Sequence, residues 1–158
     1  MNLTLEQEDA RGAIYSILLP TNQELMLFFS KAGCLRGGHS HNIPEITVIL
    51  TGRLRYYKKH GDKEKVFELS SGQMAYHSPD EIHMAEFLED SWLIDWKIGS
   101  RVGECITTDY EPFRERVIRN IYKLFFETFS LPLSWAMPEP IRGTPSQASV
   151  KPVESIKI

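Results

Sequence analysis

The chain has 158 residues, 42% of them hydrophobic and 25% charged, enough for one soluble globular domain with a substantial core. Lysine plus arginine number 18 against 21 acidic residues; the net charge of −3 provides no basic field to gather phosphate backbones, and nucleic acid is excluded as a partner. Two cysteines are too few for a disulfide-stapled secreted scaffold, the acidic start MNLTLEQEDA lacks the charged-then-apolar order of a signal peptide, and no apolar run approaches the ~20 residues that cross a bilayer, so a cytoplasmic protein with no membrane partner is expected.

From residue 13 to 98 short apolar segments recur between turn residues, beginning with AIYSILL (13–19) and ELMLFFS (24–30). The next stretch, GCLRGGHSHNIPEITVILTG (33–52), carries the chemistry. Alternate residues of a strand face one side, so His39 and His41 project together and Glu45 can join them. A histidine pair of this kind alone is most simply a polar strand face. RLRYYKK (53–59), KVFEL (65–69), QMAYHS (73–78) and IHMAEFL (82–88) follow, and the SerProAspGlu turn before the last of these brings His83 back as a fourth donor. Three neutral nitrogens with one anionic oxygen suit one divalent transition metal, such as Mn, Fe, Co, Ni, Zn or Cu, with positions left for water or substrate where the ion prefers six ligands. Cys34, five residues before His39, reads as a small buried thiol, with approach to the metal as the alternative.

In SWLIDWKI (91–98) Trp92, Ile94, Trp96 and Ile98 alternate with Leu93, Asp95 and Lys97, giving an aromatic face that packs in the core or a dimer seam, with a substrate-stacking platform as the sharper alternative. Beyond Gly99 the period changes: Phe113, Val117, Ile121, Leu124 and Phe125 mark an amphipathic helix over 108–130, with Pro112 in its first turn and its apolar stripe covering the barrel or the same helix of a second subunit. Five prolines between 131 and 158 leave an extended arm. There is no internal repeat.

At the histidines the chain resembles the cupin superfamily. Gly33, His39, His41, Glu45 and Gly52 meet every fixed position of its first motif, GX5HXHX3-4EX6G. The second, GX5PXGX2HX3N, is matched at Gly72 and His83, whereas Ser78, Asp80 and Phe87 stand where proline, glycine and asparagine are usual. The resemblance covers about residues 13 to 98 and implies an all-β protein: an antiparallel barrel (double-stranded β-helix, or jelly roll) over 1–100, followed by the helix packed on it and the arm. It also implies a metal held by His39, His41, Glu45 and His83.

Helpers to such a metal are sought among His77, Tyr76, Tyr56, Tyr57 and Arg36, and parity offers one of each adjacent pair to the pocket. We select His77 as general acid or base, Tyr56, and Arg36 as a fork for an anionic substrate. The expected function is isomerisation or epimerisation of a small carbohydrate or hydroxy-carbonyl compound by a homodimeric, metal-dependent enzyme. The segment RGGHSH is also similar to cupins acting on nucleotide-linked sugars, including 3,4-ketoisomerases in which the two histidines shuttle protons without a metal. Glu45 together with His83 speaks against that alternative; an Fe(II) dioxygenase and a non-catalytic sensor or storage module are the others.

Overall fold

A computed structural model describes residues 2–99, 101 and 103–128. The expected 131–158 arm lies outside these residues. Strands β1 (Asn2–Asp9), β2 (Gly12–Leu18), β3 (Glu24–Ser30), β4 (Leu35–His41), β5 (Glu45–Thr51), β6 (Arg53–His60), β7 (Lys63–Ser70), β8 (Met74–His77), β9 (Ile82–Phe87), β10 (Ser91–Lys97) and β11 (Thr107–Asp109) precede one helix, α1 (Glu111–Thr128). Every apolar segment expected as a strand forms one, but the single strand expected to carry His39, His41 and Glu45 is interrupted at 42–44, so that Glu45 opens β5. Two strands were not anticipated. In β1, Leu3 and Leu5 sit among polar and acidic residues; β11 is three polar residues long.

All strand pairings are antiparallel, in two sheets of order β1-β2-β3-β10-β5-β8 and β11-β4-β9-β6-β7. Consecutive strands that change sheet, as β3 to β4 and β5 to β6 do, give a jelly roll whose inner faces meet over a shared core. Ile49 and Leu93 come from the first sheet, Leu54 and Phe87 from the second, and all four are nearly inaccessible. Each contributes about 1.5–3 kcal/mol through burial. Phe87, where the second cupin motif has asparagine, therefore serves the core.

The inner face fixes the outer one. With Leu93, Asp95 and Lys97 turned inward on β10, the alternate residues Trp92, Ile94 and Trp96 turn outward, so these tryptophans leave the core. The register sets Leu5, Tyr15, Leu27, Ile94, Val48 and Met74 in one row across all six strands.

The chain divides into two compact units, the first ending at Arg114 and the second starting at Glu115. Pro112 lies in the first turn of α1, and Phe113 and Val117 are buried, while Leu124 and Phe125 further along the stripe are exposed.

Candidate metal centre

The site begins with a bulge. Pairing of β4 with β9 runs Gly37 to Met84 and then His39 to His83, so Gly38 is the extra residue. Gly37 and Gly38 take φ of 88° and 86°, and a Cβ on Gly37 would stand 2.8 Å from the His83 carbonyl oxygen. Only glycine fits that approach. The bulge re-aims the following residues so that His39 and His41 stand beside His83, their ring centroids 4.8–5.4 Å apart.

One nitrogen from each ring lies within 4.8 Å of the other two, and these three histidines can hold a metal ion. Glu45 reaches the triad from the opposite sheet and is buried, with Oε2 3.2 Å from His41 Nε2 and Oε1 3.5 Å from His83 Nε2. All four residues that spacing nominated are thus brought together.

Burial, followed by the neighbouring His83 and His41, lowers His39 to about 3. Burial also lowers His83. Burial alone would raise Glu45, but the His41 hydrogen bond and nearby positive charge outweigh it and bring the carboxyl down to about 2. At neutral pH, His39 and His83 are neutral and Glu45 is ionised.

The proton positions test the fit. His83 Nδ1 lies 3.1 Å from the Glu81 carbonyl oxygen, which only accepts, so Nδ1 carries the proton and Nε2 is a bare lone pair. Facing it at 3.5 Å is a carboxylate oxygen, another acceptor. Two buried acceptors with no proton between them are mismatched, and a cation removes the mismatch. Neutral imidazole and ionised carboxylate are the forms that ligate metal, so the donor set fits a divalent transition ion.

The surrounding residues orient these donors. β11 brings Thr107 opposite His41, with Oγ1 3.0 Å from Nδ1, and the Cys105 Sγ is 3.4 Å away. Thr107 can accept a hydrogen bond from Nδ1–H once Nε2 is committed to a metal. The turn 78–81 holds His83 from behind: Glu81 accepts from the Ser78 backbone N–H (2.9 Å) and from Lys58 Nζ (3.1 Å), while Asp80 N–H donates to the His41 carbonyl (2.7 Å). Asp80 stands at the motif's usual glycine and keeps the left-handed conformation there, with φ of 62°. Loop shape therefore survives the departure in sequence.

Of the expected helpers, His77 is buried with its ring 4.2 Å from that of His83. Thr47 donates to Asp95 (2.5 Å) and accepts from Tyr56 (3.1 Å), so His77 Nε2, at 3.2 Å, must be the donor to it. His77 Nδ1 is then a buried lone pair without a hydrogen-bond partner. Burial, with His83 and Lys58 nearby, lowers His77 to about 2. Tyr56 packs in the core and meets His77 edge-on to tilted at 5.0 Å, while Tyr76 and Tyr57 take the opposite parity. Arg36 donates from Nε to Ser30 Oγ (2.7 Å) and lies over the Phe28 ring, contacts that involve none of the four donors. Cys34 is half-buried and packs against the core rather than within it.

Sequence reasoning missed Lys97, whose Nζ lies 3.8 Å from Glu45 Oε2, and the inward Asp95. Burial, then the Glu45 charge, raises Asp95 well above the usual carboxylate range. The signal was present: polar residues alternating with tryptophans on one strand identify a polar inner face whenever the aromatic face turns outward.

No family model matches the sequence, and no curated protein matches it. Solved structures do. Capsular polysaccharide assembling protein CapF from Staphylococcus aureus aligns with a TM-score of 0.56 and 20% identity over 69% of this chain and 34% of its own. Oxalate decarboxylase from Bacillus subtilis aligns with a TM-score of 0.59 and 16% identity over 84% of this chain and 36% of its own. The chain folds as a cupin. The chain spans about a third of the length of either neighbour, and at such identity the likeness concerns the fold. No described helix is long and apolar enough to cross a membrane.

Proposed function

We propose that this cupin is a cytoplasmic enzyme that binds one divalent transition metal through His39, His41, His83 and Glu45 and isomerises or epimerises a small hydroxy-carbonyl compound, such as a carbohydrate. The observation that carries the reading is the buried Glu45 carboxylate facing the bare His83 Nε2 at 3.5 Å, beside two further imidazoles. When bound, such an ion would polarise a carbonyl and hold a neighbouring oxygen, acidifying the intervening C–H. The chain's own groups then divide the work. Lys97, partly exposed beside Glu45, supplies a positive charge for an anionic oxygen of the substrate. His77, fixed by Thr47, keeps an unprotonated Nδ1 beside the triad and is the proposed general base, a weak one in the metal-free site because burial holds it at about 2. Tyr56 orients that relay through Thr47, and Arg36 remains the proposed clamp for a substrate's acidic end.

Oxalate decarboxylase from Bacillus subtilis has Mn(II) centres, and CapF has been crystallised with the inhibitor 3-isopropenyl-tropolone, a molecule with two adjacent oxygens. The metal-free sugar ketoisomerase is the second reading, favoured by RGGHSH on the bulged strand.

Incubation of metal-loaded protein in D2O with a panel of aldoses, ketoses, hydroxy-keto acids and nucleotide-linked sugars, followed by proton NMR, tests the proposal. Deuterium entering the carbon beside a carbonyl, lost on chelation and in His83→Ala, is the expected result. Turnover that persists in both cases assigns the metal-free reading, and no exchange with any of these substrates contradicts the isomerase.

A further inference from the structure

The outer face of the six-stranded sheet is apolar from edge to edge. Beside the row already described runs a second, Leu3, Ile17, Leu25, Trp96, Ile46 and Tyr76, again one residue from each strand and again without a charge. Leu3, Trp96 and Tyr76 in this row are exposed by 59%, 37% and 54%, and Leu5 and Met74 at the ends of the first row by 44% and 63%. Antiparallel sheets that end at water alternate apolar-in with polar-out. Here the outward positions of β2, β3, β10 and β5 carry no charge, the pattern of a face that is covered rather than left to water.

We infer that this face is the interface of a homodimer, formed by a second copy of the same chain packing sheet to sheet. Six strands at ~4.8 Å and two rows at ~6.6 Å, with Ala13, Phe29, Trp92 and Thr51 as a third row across four of the strands, give a patch of roughly 500 Å² in projection, before side-chain relief is counted. That lies in the upper half of the range of patches left open on monomers, about 300–600 Å². Side-chain relief brings it toward the ~800 Å² that each partner contributes to a standard stable interface. Every described strand already belongs to one of the two sheets, so none lies across the face. A single extended segment covers about one strand's width, ~5 Å of the ~29 Å across. A second copy offers a face of the same width and the same lack of charge, and a two-fold axis brings each row against its equivalent. Two twisted sheets then stack ~10 Å apart, inclined by about 30°, as in a sandwich. Trp96 and Ile94, near the middle, are the anchors.

Sedimentation velocity of the full chain across a wide micromolar range, with hydroxyl-radical footprinting of Trp96 and Tyr76, tests the inference. The wild type is expected to sediment as a dimer, with both side chains protected and the protection lost on dilution. Trp96→Glu and Leu27→Arg, each with an unchanged far-ultraviolet spectrum, are expected to weaken association at least tenfold. A wild-type chain that stays monomeric overturns the inference, and so do dimers that persist in both variants. If neither variant folds, the wild-type footprint decides: protection unaltered by dilution in a monomer means that residues 129–158 or other parts of the same chain cover the face, which also overturns it.

Discussion

Asp80 shows how one side chain can replace a motif residue without changing the site. It holds a left-handed φ of 62°, donates its N–H to the His41 carbonyl, and ends the turn whose Glu81 carbonyl fixes the His83 tautomer. Aspartate tolerates this conformation better than most residues, but glycine tolerates it without steric cost. Asp80→Gly is therefore expected to leave metal uptake intact and to change stability between neutral and about 1 kcal/mol more stable, measured by urea unfolding. Loss of metal uptake in that variant would mean that the aspartate carboxylate itself serves the site. Strand parity revealed His39 and His41, which alternate on β4, whereas Glu45, four residues on, joins them not by parity but because the chain turns at 42–44 and crosses to the opposite sheet. The roles of Thr107, Cys105 and Lys97 were hidden, since each reaches the site only through pairing between strands distant in sequence.

The bulge on β4 is the element that turns spacing into geometry. Were Gly38 paired in register rather than bulged, His39 and Gly37 would share a face, and the approach of Gly37 to the His83 backbone would be lost. Gly37→Ala places a Cβ 2.8 Å from a carbonyl oxygen at a φ of 88°, so a destabilisation of about 1–3 kcal/mol is expected, with weakened metal binding because His39 and His83 separate. Thermal unfolding with and without added metal measures both effects; an unchanged midpoint in both conditions would show that the bulge does not set the site. Sidedness was the part of the fold least legible beforehand. SWLIDWKI announces a strand, but which of its faces turns inward depends on the partners of Leu93 in the core. β1 was illegible for another reason: Leu3 and Leu5 are exposed, so they read as an acidic tail until β2 pairs with them.

Across the whole molecule, buried ionisable groups set a pH dependence. His39, His77 and His83 are all lowered from 6.5, to about 3 for His39 and about 2 for His77, so unfolding takes up protons at three sites below pH 6.5. Asp95, raised by burial, opposes them with one proton held by the folded state. Below about 4.5 Glu45, lowered to about 2, adds to the imidazoles. The unfolded chain therefore binds more protons, and the stability of metal-free protein is expected to fall as pH drops from about 6.5 toward 3, as read from urea midpoints. A flat profile over that window would contradict the buried, neutral histidines. The central claim is tested most directly by titrating chelator-treated protein with Mn(II), Fe(II), Ni(II), Zn(II) and Cu(II) and counting bound ion by elemental analysis. The account requires about one equivalent of at least one of these ions in the wild type and a near-total loss in folded His83→Ala. Wild-type protein that takes up none of them, or His83→Ala that binds as well as the wild type, would contradict it.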